Sequence, residues 1–150
     1  MRALIQRVKE AGVTVGGKIH NRIGSGLLIF LGVAHADTEH DARYLARRCA
    51  DLRIFEDGDG KMNLSLKNIS GEALVISQFT LYADTRRGNR PSFTDAAPPA
   101  DAERLYESFI RFLREALGDE RVKDGVFRAM MDIHLVNDGP VTIMIESKEQ

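Results

Sequence analysis

At 150 residues, with 43% hydrophobic and 29% charged residues and a formal net charge of −1, the chain has the composition of an ordinary globular domain and no global field that would gather nucleic acid to it. A chain this long buries roughly 70% of its extended surface on folding, so the single cysteine, Cys49, which excludes an internal disulfide and fits a reducing compartment, leaves no deficit in the core. No apolar run approaches the ~18 residues of a membrane span, and "MRALIQRVKEAG" lacks the apolar centre of a signal peptide, so the expectation is one cytoplasmic domain over 1–150 without membrane contact.

The first third reads as short strands. "VTVGGKI" sets two β-branched pieces on either side of Gly16-Gly17, a hairpin pattern. "GLLIFLGVA" is a continuous apolar run, as in a strand buried on both faces. From Asp37 the period changes: Ala42, Leu45, Ala46, Cys49 and Leu52 recur along one helix face, with Asp37 or Thr38 as the cap. "LRIFED" predicts a short strand, and "DGDGKMNLSLKNISG" a turn-rich loop holding another. "EALVISQFTLYA" predicts one strand, with Ala73, Val75, Ser77, Phe79 and Leu81 on one face and Leu74, Ile76, Gln78, Thr80 and Tyr82 on the other. "DTRRGNRPSFTDAAPP" is a long loop, and such loops in compact domains are often functional. A second helix is predicted from Asp101 to Leu117, with Leu105, Phe109, Phe112, Leu113 and Leu117 as its stripe and Gly118 as its stop. "GVFRAMMDIHLV" and "PVTIMIES" predict two more strands. Between them stands "NDGPVT", where Asp138-Gly139 is a turn pair and Pro140 cannot donate to a ladder, so these residues alone read as a hairpin. Two helices among many strands predict an α+β fold with an antiparallel-rich sheet.

Side-chain chemistry is sparse. His20, His35, His40 and His134 have no standard metal spacing, and "DGDGKMN" fails as a calcium loop because Lys61 and Met62 stand where a ligand oxygen and a glycine belong. Neither a metal nor a cofactor is expected. No Gly-x-Ser-x-Gly turn or Gly-rich phosphate loop is present, and Cys49 lies on the apolar helix face as a core filler. Two features remain. Ser77, Gln78 and Thr80 interrupt an apolar strand, which reads either as the polar face of a half-buried strand or as a site. Arg86, Arg87 and Arg90 surround Gly88, which reads either as a solvated loop or as an arm for phosphate oxygens.

"SQFTLYAD" followed much later by "NDGPVT" closely resembles the two signature motifs of D-aminoacyl-tRNA deacylases. "MRALIQRVKEAGVTV", "GLLIFLGV", "LRIFEDGDGKMNLS" and "RRGNRPSF" resemble the same family in the same order, across essentially the whole chain. The resemblance implies an α+β barrel-like fold and a homodimer with active sites at the interface. It implies hydrolysis of the ester joining a D-amino acid, or mischarged glycine, to the 3′-terminal adenosine of tRNA. It also implies a cis Gly139-Pro140 bond that reaches into the other subunit's pocket. Cis X–Pro bonds are only about 5–6% of those in folded proteins. With both carbonyls of the pair turned one way, Gly139, lacking a Cβ, would let backbone approach the substrate's chiral centre, where an L side chain collides.

The expected catalytic segment is Ser77, Gln78, Phe79 and Thr80, with the Gln78 and Phe79 amides as oxyanion donors. Thr80 is a possible nucleophile, but the motif holds no histidine or lysine to activate it. Asn137, Val141 and Thr142 complete the second motif. Arg7 either braces the Gly-Pro carbonyls or is a plain surface arginine. Met130 is either part of the adenine pocket or a core methionine. Three rivals stand beside this reading: a relative with a trans Gly-Pro bond acting on L-aminoacyl-tRNA, an RNA-end-binding module without catalysis that uses Arg86, Arg87 and Arg90, and a structural dimer whose motifs are merely edge strands and turns.

Overall fold

A computed structural model describes residues 1–148, so the last two residues of the expected domain lie outside the described residues. The elements run β1 (Arg2–Val15), β2 (Lys18–Ile23), β3 (Gly26–Gly32), α1 (Glu39–Asp51), β4 (Phe55–Glu56), β5 (Met62–Leu64), β6 (Glu72–Ser77), α2 (Pro99–Leu117), β7 (Val122–Asp124) and β8 (Asp132–Glu146). β1 organises the sheet. One of its edges pairs antiparallel with β8 from Arg2 opposite Glu146 to Thr14 opposite Asp132. Its other edge is shared, β3 taking Arg2 to Val8 and β2 taking Ala11 to Val15. β6 joins β3 in parallel and β7 joins β6 in parallel, so the sheet is mixed, with the order β2-β1-β3-β6-β7 and β8 on the remaining edge of β1. β4 and β5 form a separate ribbon.

The sheet curls into a nearly closed, barrel-like form. Asn21 on β2 reaches the far end of the path, its Nδ2 donating to the Asp124 carbonyl of β7 at 2.7 Å. Strand alternation then fills two clusters. Leu28, Leu74 and Ile76 point inward to meet Val8, Ala11, Val13 and Ile23. Leu27, Ile29, Leu31, Ala73 and Val75 point outward to the helices. This double burial is why β3 reads as an unbroken apolar run. β1 changes parity at the irregularity between Val8 and Glu10, so Ala3 and Ile5 serve the helix side while Ala11 and Val13 serve the barrel.

The helices cover the outer face. Leu45, Ala46 and Cys49 of α1 and Leu105, Phe109 and Leu113 of α2 are fully buried, and each large side chain contributes roughly 1.5–3 kcal/mol. Thr38 caps α1, and its amide and hydroxyl both donate to Asp41 Oδ2 at 2.8 Å. α2 opens with Pro99 in its first turn, two residues before the expected Asp101, and stops at Gly118 with φ 97°.

Three segments differ from the sequence expectation. The strand through "SQFTLYA" ends at Ser77, and Phe79–Tyr82 form a 3-10 turn. Residues 125–131 are a loop, with β8 starting only at Asp132. "NDGPVT" is not a hairpin: β8 continues through it, and Asp138 to Val141 bulge out opposite Arg7 alone.

Candidate active site

Ser77 ends β6 beside Leu31 of β3, and the chain turns away from the sheet there. Gly32 makes the turn possible, because a Cβ at that position would lie 3.1 Å from Leu81 Cβ and 3.2 Å from the Gln78 carbonyl. Arg2 holds the turn from outside, with Nη1 donating to the Leu81 carbonyl at 3.0 Å and the guanidinium 4.5 Å from the Tyr82 ring centre. The sequence reading missed Arg2, since no local pattern links position 2 to position 81.

Beside this turn lies a cleft of about 690 Å³. Leu31, Val33, Ile76 and Ile133 form its apolar base, and Ser77, Gln78, Phe79 and Phe93 line the side next to β6. Phe79 is 55% exposed and meets Phe93 edge to face at 5.0 Å. Met130 lines the opposite rim at 91% exposure, so it is no core methionine. Arg128 is the only ionisable side chain among the described residues lining the cleft, and it was not singled out from sequence.

The backbone corrects one expected role. The Gln78 amide donates to the Leu31 carbonyl at 2.8 Å and is therefore not available as an oxyanion donor. The Phe79 and Thr80 amides open the 3-10 turn, where first-turn N–H groups have no partner within the turn. Gln78 Nε2 donates to Thr80 Oγ1, and Thr80 does not line the cleft. Cys49 is equally remote from nucleophilic work, because burial pushes its thiol up to about 12.

The second motif forms a different structure. Opposite Arg7 the Asp138–Val141 segment leaves the ladder, with the Gly139–Pro140 bond cis and both residues exposed. Asn137 clasps the neck: its Oδ1 accepts from the Val141 amide at 2.7 Å, and its Nδ2 donates to the Val141 carbonyl at 3.3 Å and to Thr142 Oγ1 at 3.2 Å. Val141 is buried at the base, and Gln6 Nε2 also reaches Thr142 Oγ1, at 3.2 Å. Arg7 is 6% exposed rather than a surface arginine. Its Nε donates to the Asp138 carbonyl at 2.9 Å and its Nη1 to the Ile54 carbonyl at 2.6 Å. The carbonyl it holds thus belongs to the residue before Gly139-Pro140. Gly139 has φ 141°, and a Cβ there would lie 2.8 Å from Val141 Cγ2 and 3.3 Å from Arg7 Nη2.

Within one chain the two motifs stand apart. Neither Gly139 nor Pro140 lines the cleft. Arg7 and Ala3, the residues of β1 nearest the two places, are four positions apart, which is about 13 Å along a strand.

The arginine loop leaves the same region. Asp84 and Ser92 exchange backbone hydrogen bonds at 2.8 and 2.9 Å, closing a tongue that carries Arg86, Arg87 and Arg90 at its exposed tip. Arg86 is occupied within the tongue, with Nε and Nη2 donating to the two Asp84 oxygens at 2.9 and 2.8 Å. Those hydrogen bonds hold the Asp84 carboxyl down at about 2 and raise Arg86 further. Arg87 and Arg90 are exposed and have no such carboxylate partner among the described residues.

Comparison with known proteins gives a consistent result. Residues 4–146 match the family described as D-Tyr-tRNA(Tyr) deacylase. A D-aminoacyl-tRNA deacylase of Thermotoga petrophila is 58% identical over 149 residues, covering 99% of both chains. Another from Roseiflexus castenholzii is 60% identical over 147 residues, covering 98% of this chain and 92% of that one. The solved structure of a protein named "c-Myc DNA Unwinding Element Binding Protein" superposes with a TM-score of 0.95 at 43% identity, covering 99% of this chain and 100% of that one.

Proposed function

This chain belongs to the D-Tyr-tRNA(Tyr) deacylase family, and from that membership we propose how it acts on its substrate. It is a hydrolase that cleaves the ester of D-aminoacyl-tRNA to free D-amino acid and tRNA, and it also clears glycine mischarged on tRNA. The terminal adenosine enters the aromatic cleft between Phe79 and Met130, which places the ester at the end of β6 beside Ser77. An aminoacyl ester is already activated, so a cleft whose described lining holds no carboxylate, histidine or lysine is sufficient. The Phe79 amide is the first donor to the oxyanion, a contact worth roughly 3 kcal/mol. The ribose 2′-hydroxyl next to the ester assists the attacking water. Thr80 has no chemical step, because it does not line the cleft and no carboxylate, histidine or lysine among the described lining residues could activate it. Thr80→Ala is therefore expected to keep kcat within about tenfold of wild type, and a loss of several orders of magnitude with the fold intact would assign Thr80 a direct role.

The observation that carries the chiral reading is the Asp138–Val141 bulge. Its tip, Gly139 and Pro140, is exposed, its neck is clasped by Asn137 and braced by Arg7, and it lies away from its own chain's cleft. A homodimer brings the bulge of one subunit to the cleft of the other. There its carbonyls accept from the substrate's α-amino group, and the backbone of Gly139 and Pro140 blocks an L side chain while a D side chain points outward. Acting on charged tRNA implies work in the cytoplasm, by the whole chain as one unit, with Arg87 and Arg90 as phosphate contacts.

The solved relative is named for binding a DNA element, which keeps a nucleic-acid-binding module as the competing class. Time courses of D-tyrosyl-tRNA and L-tyrosyl-tRNA hydrolysis separate the readings. Loss of the D ester alone is expected. Loss of the L ester would point to a relative of opposite selectivity, and binding without cleavage of either ester would support the module.

A further inference from the structure

We propose that Arg128 binds the phosphate on the 5′ side of the terminal adenosine and so sets how tightly the RNA end is held; this rests on the deacylase reading of the cleft. Arg128 is the only ionisable group lining a cleft that is otherwise apolar and aromatic, apart from neutral Ser77 and Gln78, among the described residues. No carboxylate or carbonyl pairs with its guanidinium among those residues, whereas Arg86 is held by Asp84 and Arg2 donates to Glu146.

Its backbone sits at φ 65°, in the left-handed region that a residue with a Cβ rarely occupies. The loop enforces that conformation. The Ala129 amide closes a turn onto the Val126 carbonyl at 3.2 Å, Phe127 packs on Tyr106 at 5.9 Å, and Met131 lies over Gly125, where a Cβ would be 2.8 Å from its sulfur. The guanidinium is therefore exposed at the rim but rooted in a fixed turn. A nucleoside whose base lies in the cleft and whose ester lies at Ser77 must carry its 5′ phosphodiester out over the rim. Arginine suits that anion, with a planar set of donors for phosphate oxygens.

Arg128→Gly is the informative variant, since glycine accepts φ 65° without cost to the turn; Arg128→Lys keeps the charge. With the full-length protein, kcat/KM would be measured for D-tyrosyl-tRNA and for D-tyrosyl-adenosine, which lacks the phosphate. Binding of adenosine 5′-monophosphate and of adenosine would be measured in parallel. Arg128→Gly is expected to lose about tenfold on the tRNA ester through KM, to lower the salt slope by about 1, and to leave the adenosine ester unchanged, with Arg128→Lys recovering part of the loss. Unchanged KM and salt slope on the tRNA ester would overturn the proposal, as would equal losses on both esters. If wild type cleaves neither ester, the deacylase reading fails, and the nucleotide binding then decides for Arg128. Tighter binding of the monophosphate than of adenosine, abolished in Arg128→Gly, would keep the phosphate site; no difference between the two would remove it.

Discussion

At the scale of single residues, the site depends on where hydrogen bonds are spent. Arg7 shows this most directly. It is buried and donates to two carbonyls from distant segments, Asp138 and Ile54. Arg7→Met would fill similar space but leave both carbonyls without their donor. The bond to Ile54 is buried and the one to Asp138 partly so, and an unmade buried bond costs about 1–3 kcal/mol, so unfolding stability should fall by at least about 1 kcal/mol, seen as a lower urea midpoint with an unchanged m-value. The Gly-Pro bulge should lose its anchor, and D over L discrimination should weaken with it. A variant within about 0.5 kcal/mol of wild type would show that the bridge carries little. Residues of this kind were only partly legible. Ser77, Gln78 and Thr80 stood out as polar breaks in an apolar strand; Ser77 and Gln78 line the cleft and Thr80 does not. That the Gln78 amide is taken by Leu31 is a parallel-ladder contact across 47 positions, which no local pattern encodes. Arg128 went unseen because an arginine between a phenylalanine and an alanine carries no sign of its positive φ.

At the scale of elements, the helices were the most legible parts, because a single apolar face repeats at helical spacing and the caps are local. α1 shows the electrostatics of such a cap. Burial pushes the Asp41 carboxyl up, but hydrogen bonds from the Thr38 amide, Ser147 and the Thr38 hydroxyl, with the charge of Lys148, outweigh it and hold the group down at about 2. The folded value lies below the ordinary 3.8. The stabilisation is therefore fully present above pH 3.8 and is lost as pH falls toward 2. Asp41→Asn should cost about 1 kcal/mol at neutral pH, and the difference from wild type should close between pH 3.8 and 2 in acid denaturation curves. A constant difference across that window would mean that the carboxylate charge is not what the cap uses. The strands were less legible. "EALVISQFTLYA" alternates like one strand, yet Arg2 and Gly32 turn its last third into a 3-10 turn. The turn chemistry of "NDGPVT" was real, but it produces a bulge because β1 supplies a continuous partner on both sides of it.

At the scale of the whole molecule, the mixed sheet explains how a small chain holds two separate candidate surfaces. β3 and β6 are buried on both faces and end at the cleft, while the β1–β8 ladder carries the bulge at another place in the same sheet. The parallel β3–β6 and β6–β7 pairings were not apparent in the sequence, since a doubly buried run specifies burial and not direction. The separation of cleft and bulge fits the proposed two-subunit site, in which backbone that cannot rotate aside would test the substrate's chirality. The most direct measurement is the ratio of D- to L-tyrosyl-tRNA hydrolysis rates for wild type and Gly139→Ala. At φ 141°, with Val141 Cγ2 only 2.8 Å from the new Cβ, alanine must displace the bulge. Wild type is expected to cleave the D ester alone, and Gly139→Ala to lose at least about tenfold in that ratio or in the D rate itself. A variant that keeps both the wild-type D rate and the wild-type ratio would contradict the claim that this backbone reads the chirality of the substrate.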